Sequence, residues 1–290
     1  MAKPLLCYGC EIWGFHKDNE IERVELNYMK YILYLARNAT STVVQGKQGQ
    51  FPIHLFWIEN IIKYWCRAII NTHELPYYLQ QSFKVQREMF EKGRNCWLSR
   101  VNQLYYTAGL PIRFNMSGNE NSKAHVNEIM TQFSDQFIQD WLGQINAPEG
   151  RKSNMSNKLR TYKLFKDEFQ LEDYLKCQLS IKHRAALTKL RVSCHKLAIE
   201  TGRYHKPAPL PVAQRLCSVC DVIEDEIHFI CDCIRNAHLR WKLFSSVSAQ
   251  FTHFPSLNSL EKFILLMRLN DTYLIRQLAS FIHASFLLAT

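Results

Sequence analysis

The segment RLCSVCDVIEDEIHFICDCIRNAHLRW contains Cys217-x2-Cys220-x7-His228-x4-Cys233. Thiolates and imidazole are soft or borderline donors, and four of them within 17 residues can close a tetrahedron around zinc. The Cys-x2-Cys turn supplies two ligands and the His-x4-Cys segment the other two. A site closed by four protein ligands leaves no position for a reactive water, so the expected Zn2+, one per chain, is structural. Cys231 competes with Cys233 for the fourth position, since His-x2-Cys is also possible. Cys7 and Cys10 form another Cys-x2-Cys without a second ligand pair near in sequence. Cys66, Cys96, Cys177 and Cys194 lie in apolar helical patterns and read as small buried hydrophobes. His125, His183 and His195 are lone histidines and read as surface or hydrogen-bonded helix residues.

The elements that must position these ligands read as helices. Ile21, Val24, Tyr28, Ile32 and Leu35 recur at three- and four-residue steps, which puts an apolar stripe on one face between Asn19 and Arg37. Gly46, Gly49 and Pro52 then break the pattern, and Pro52 starts a second, strongly apolar helix through Trp57, Ile61, Trp65 and Ile69. Two more helices are expected from Tyr77 to Lys92 and from Cys96 to Ala108, with glycines as stops. A polar loop from Asn115 to Ser122 precedes another helix that Ser122 could cap and that carries Val126, Phe133, Trp141 and Ile145. Strand signals are nearly absent. The expected fold is mostly α, one or more helical bundles with a small zinc-knuckle module near the C-terminus. The expected organisation is a helical region over 1–146, a linker over 147–157, a basic helical region over 158–205, the knuckle module over 206–240 and C-terminal helices over 241–290.

Composition bounds the partner. The chain has 290 residues, 47% hydrophobic and 21% charged, which rules out disorder as the main state. Lys and Arg total 36 against 26 Asp and Glu, a formal charge of +10 that favours a polyanion, RNA or DNA before an anionic membrane. Residues 151 to 206 hold 14 basic and five acidic residues, 14 − 5 = +9. Within that window Lys182, Lys189 and Lys196 recur at seven-residue spacing along one helix edge, and Arg184 and Arg191 along another, beside an apolar seam of Leu187, Leu190, Cys194 and Leu197. Such a helix suits two lines of phosphates. Upstream, Arg160, Lys163 and Lys166 alternate with Tyr162 and Phe165, combining phosphate contact with stacking. The opening residues lack a secretory signal, so a reducing intracellular location, nuclear or cytoplasmic, is expected. Arg268, Asp271 and Arg276 interrupt the most apolar tail before the roughly 18 uncharged residues a membrane span needs. Neither membrane nor small-molecule substrate is expected.

Several blocks in order, YGCEIWG at 8–14, GKQGQFPI at 46–53, KLRTYKLFK at 158–166, LRVSCHKLAIETGRY at 190–204, and the Cys-Cys-His-Cys knuckle followed by Arg240, resemble the C-terminal part of non-LTR (LINE-type) retrotransposon reverse transcriptases. The resemblance spans nearly the whole chain and is most specific from 158 to 240. It implies a helical thumb or connection segment after the polymerase palm, ending in a knuckle thought to help hold template RNA or target DNA, and it favours Cys233 over Cys231 as ligand. Arg203 is a further candidate nucleic-acid contact. Lys47 and Gln48 depart from the acid and apolar residue frequent in the family's turn. Two-metal phosphoryl transfer needs paired carboxylates, which the family supplies from an aromatic-x-Asp-Asp turn. The sequence has no Asp-Asp pair, and from Trp241 onwards its only acids are Glu261 and Asp271. A non-catalytic chain is therefore expected, binding nucleic acid or partnering a separate reverse transcriptase palm. A zinc-stabilised helical protein-interaction module is the alternative, supported by the acidic run Asp221, Glu224, Asp225, Glu226.

Overall fold

Asp18 opens the first long helix, α1 (Asn19–Ile32), by accepting from the amides of Glu20 and Ile21, donors that a first helical turn leaves free. The computed structural model describes residues 3–37, 39–70, 75–115, 119–147 and 159–288. The apolar stripe of α1 is not its buried face: Val24, Tyr28 and Ile32 are exposed, whereas Glu22, Glu25, Met29 and Lys30 are buried. Polar bonding explains the inversion. Glu25 Oε2 accepts from the amide of Ile53 at 3.0 Å, capping the next apolar helix, and Lys30 Nζ donates to the carbonyl of Arg37 at 2.8 Å.

Gly46 does not break the chain as its type suggested. It lies inside α2 (Ser41–Gln48), where an added Cβ would stand 2.5 Å from the Trp141 ring, so a glycine lets the indole pack on the helix. Gly49 ends α2 with φ +57°, and there a Cβ would meet the Leu171 amide nitrogen at 2.7 Å and Gln170 backbone at 2.8 Å. The amide of Glu172 donates to the carbonyl of Lys47 at 2.9 Å, which pins α2 to that strand of chain. Gly49→Ala is expected to lower stability by on the order of 2 kcal/mol, read as a shift in denaturant midpoint at unchanged slope.

The remaining long helices follow the sequence pattern: α3 (Ile53–Ile70), α4 (Tyr77–Glu91), α5 (Trp97–Thr107) and α6 (Asn119–Asn146). Helix α6 begins three residues before Ser122, which therefore lies within its first turn rather than at its cap. Helices α7 (Ile181–Arg191), α8 (Glu226–Cys231), α9 (Ala237–Gln250), α10 (Ser259–Met267) and α11 (Thr272–Leu288) complete the set used below. The fold is mostly α, and among the described residues the only β pairing is two isolated bridges. No described helix is long and apolar enough to cross a membrane.

The chain divides into two compact units, residues 1–26 with 51–140 and residues 27–50 with 141–290. This differs from the linear order expected, because 27–50 groups with the C-terminal part. The expected linker lies, apart from Ala147, outside the described residues. In the first unit, Ile58, Ile61, Ile62 and Trp65 of α3 pack with Leu98, Val101 and Tyr105 of α5 and Ile129 and Phe133 of α6. In the second, α11 lies against α7 and α9, and α8 against α10. Leu187 and Leu190 of α7 and Leu274, Leu278 and Ile282 of α11 are all fully or nearly buried, the apolar burial that drives such packing.

Candidate metal centre

A tight reversal builds the first half of the site. Leu216 and Ile223 form an antiparallel bridge, Cys217 N donates to Val222 O at 2.7 Å, and Asp221 N returns to Cys217 O at 3.0 Å. Asp221 takes φ +55°, a conformation Asp tolerates better than most side chains. The second half is the short helix α8, whose N-cap Asp225 accepts from the amide of His228 at 2.8 Å. As the helix ends, the amide of Cys233 donates to the carbonyl of His228 at 2.8 Å and brings its own sulfur round.

The ligand atoms of Cys217, Cys220, His228 and Cys233 all lie within 4.8 Å of one another. Cys233 Sγ is 3.8 Å from Cys217 Sγ and 3.9 Å from Cys220 Sγ, far beyond a disulfide. His228 Nε2 is buried and has no hydrogen-bond partner among the described residues, the state of an imidazole whose lone pair awaits an acceptor. The Ile234 amide points at Cys220 Sγ, 3.5 Å away. Burial works against ionisation of Cys217, but the backbone amides of Val219 and Cys220 and the thiols of Cys233 and Cys220 more than offset it and lower its pKa. Burial and the neighbouring Cys217 push the Cys233 thiol up to about 11. A bound cation would reverse that second shift. The four groups can thus hold a metal ion.

Cys231 is not part of the cluster. Its sulfur donates to the carbonyl of Ser259 at 3.3 Å, and burial pushes the thiol up to about 12. Arg240 holds the module from outside, donating to the carbonyls of Cys233 at 2.8 Å and Ile230 at 3.3 Å. Buried Arg215 donates to the carbonyls of Ile199 and Leu210, while Glu224 accepts from the amide of Ala198 at 2.7 Å. These bonds fasten the metal module to the segment before it.

The candidate nucleic-acid residues separate into two groups. Tyr162, Lys166 and Arg191 are buried, and Arg160 and Arg203 are largely covered, so these five are corrected from phosphate contacts to internal ones. The physical reason is two buried carboxylate networks. In the first, Glu172 accepts from Arg191 Nε at 2.7 Å, Lys47 Nζ at 3.0 Å and the Tyr162 hydroxyl at 3.1 Å. Lys47 also donates to the Tyr174 hydroxyl at 3.1 Å, Arg191 lies over the Phe165 ring, and Lys166 donates to the Gln170 carbonyl. Against its burial, Arg191 and Lys47 hold the Glu172 carboxyl down to about 2, while burial pushes the Lys47 ammonium down to about 7. In the second network, Glu226 accepts from Arg160, Ser193 and His195, and Arg160 reaches Glu200 at 2.7 Å with Arg203 3.3 Å from the same carboxylate. His195 therefore has a partner that the sequence did not reveal.

Lys163, Lys182, Lys189 and Lys196 are exposed, and Arg184 is half-buried with one donor on the Cys177 carbonyl. Helix α7 ends at Arg191, so Lys196 falls beyond the helix edge it was expected to extend. The acidic run is engaged as well. Glu226 and Glu224 are buried and Asp225 caps α8, so only Asp221 is exposed. Lys47, Glu172 and Tyr174 were absent from the sequence-based site; their signal was a lysine inside an otherwise apolar helix face. Compared with protein-family models, curated proteins and solved structures, the chain matches none of them.

Proposed function

We propose that Cys217, Cys220, His228 and Cys233 hold one structural zinc ion, and that the unit it stabilises binds RNA or DNA without catalysis of its own, as the end region of a LINE-type reverse transcriptase. The donor set supports zinc, since three thiolates and one imidazole suit it better than any hard cation. The sulfur separations of 3.8 and 3.9 Å support it too, because thiolates about 2.3 Å from a central ion stand about 3.8 Å apart on a tetrahedron.

The observation that carries the nucleic-acid reading is the set of exposed lysines, Lys163, Lys182, Lys189 and Lys196, none with an acidic partner among the described residues, in the unit that holds the metal cluster. Exposed, flexible ammonium groups meet phosphate without the desolvation that buried Arg191 would suffer. The engagement of Glu224, Asp225 and Glu226 inside the protein also removes most of the repulsion that the acidic run suggested. Titrations with single-stranded and duplex oligonucleotides over a salt series test the reading. Replacing Lys182 and Lys189 by alanine should weaken binding to every sequence alike and reduce the slope of log affinity against log salt by roughly 1.5. Absence of binding at low salt, or affinity independent of salt, overturns the proposal.

The protein-interaction reading has one supporting observation, the exposed Ile234 and Trp241 just after the metal ligands, 69% and 74% accessible. Nucleic acid retained on the purified protein at low salt favours the first reading, and its absence the second.

A further inference from the structure

We infer that a cavity of about 500 Å³ between the end of α1, the end of α2 and the start of α7 receives an unpaired nucleobase of a single strand. The inference rests on the nucleic-acid reading above and names a site for it. The volume lies in the range of small-ligand pockets. Leu33, Leu171 and Leu175 give it an apolar wall, Tyr31 and Tyr34 line it with aromatic rings, and Gln48 and Arg184 bring polar groups to it. An apolar wall beside aromatic faces and a few amide and guanidinium donors matches the chemistry of a planar heterocycle edged with carbonyl and ring-nitrogen acceptors.

Two independent features single this cavity out. Gln48 Nε2 and Arg184 Nε are buried donors without hydrogen-bond partners among the described residues, and both residues line it. Native interiors rarely leave such donors unmatched. Tyr34 takes φ +55°, a costly conformation for a bulky residue, and Tyr31 is 78% accessible. A tyrosine ring held open to solvent beside a pocket is a stacking platform for a base whose faces are free. Bases in a duplex are already stacked on both faces, so the site selects single strands.

The test uses the full chain and three oligonucleotides of equal length: a single strand, the same strand with abasic positions, and a blunt duplex. The wild-type protein should bind the base-bearing strand roughly 10-fold more tightly than the abasic one, as expected for one stacked base. Tyr31→Ala should erase that ratio without changing the salt slope or duplex affinity, and Tyr31→Phe should keep it. Equal affinity for base-bearing and abasic strands, or a ratio that survives Tyr31→Ala, overturns the site while leaving the phosphate-binding reading intact. Failure of the wild-type protein to bind any of the three overturns both.

Discussion

Cys220→Ser and His228→Ala are each expected to yield protein without bound metal and with the segment from about 206 to 240 unfolded. Structural zinc supplies apparent free energies of about 10–16 kcal/mol in short modules, as much as the whole stability of an ordinary domain. The reversal that carries Cys217 and Cys220 has little else to hold it, with Val219 and Val222 exposed rather than packed, whereas α8 keeps Phe229 and Ile230 buried and Glu226 bonded to Arg160, Ser193 and His195. Limited proteolysis should therefore show new cleavage between 206 and 240 in these variants and after chelation of the wild-type protein. Cys231→Ser provides the contrast, because its thiol is directed to Ser259. That variant should retain the metal and the wild-type cleavage pattern. Loss of metal from Cys231→Ser, or its retention in His228→Ala, contradicts the ligand set.

Glu172→Gln should lower the unfolding free energy by about 3–5 kcal/mol, because it leaves a buried charge without its counter-ion. The uncompensated charge is Arg191. Lys47 is already pushed to about 7 and can shed its proton, whereas a guanidinium stays charged at any working pH. Lys47→Met, which keeps the volume and leaves Glu172 paired with Arg191, should cost less than about 1.5 kcal/mol. The same carboxylate fixes an acid transition. Its folded pKa of about 2 lies below the ordinary 4.5, so the folded state binds its proton less readily than the unfolded chain. Its contribution is fully present above about pH 4.5 and is lost as pH falls towards 2, on the order of 3 kcal/mol in all. Denaturant midpoints measured from pH 6 to pH 2.5 should fall in both proteins, because, against its burial, His195 and Arg160 also hold the Glu226 carboxyl down to about 2, but the fall should be smaller in Glu172→Gln by the share that Glu172 carries. Equal slopes for the two proteins contradict the assignment.

The cluster of Cys217, Cys220, His228 and Cys233 was legible because its chemistry is local: four donors within 17 residues declare themselves by type and spacing. The long helices were legible for a similar reason, since the 3.6-residue period of α3, α5 and α6 is carried by each segment alone. Burial of charge was not. Nothing near Lys47 in the sequence points to Glu172, 125 positions away, so the lysine read as a departure from the family's turn rather than as a core residue. Arg160 and Arg191 likewise looked like members of a basic stripe until Glu226 and Glu172 were placed beside them. Helix α1 shows the same limit: its apolar stripe fits the period, yet Glu25 faces inward because Ile53 offers an amide there. Gly46 read as a breaker since its partner, Trp141, is remote in sequence. In each case the deciding contact is long-range and polar or steric, the information that periodicity and composition do not carry.

Elemental analysis of the chain purified without chelator, paired with the same measurement on Cys220→Ser, tests directly whether the four-residue cluster holds zinc. The expectation is one zinc ion per chain in the wild-type protein and none in the variant. A wild-type content of zero, or equal content in both proteins, contradicts it.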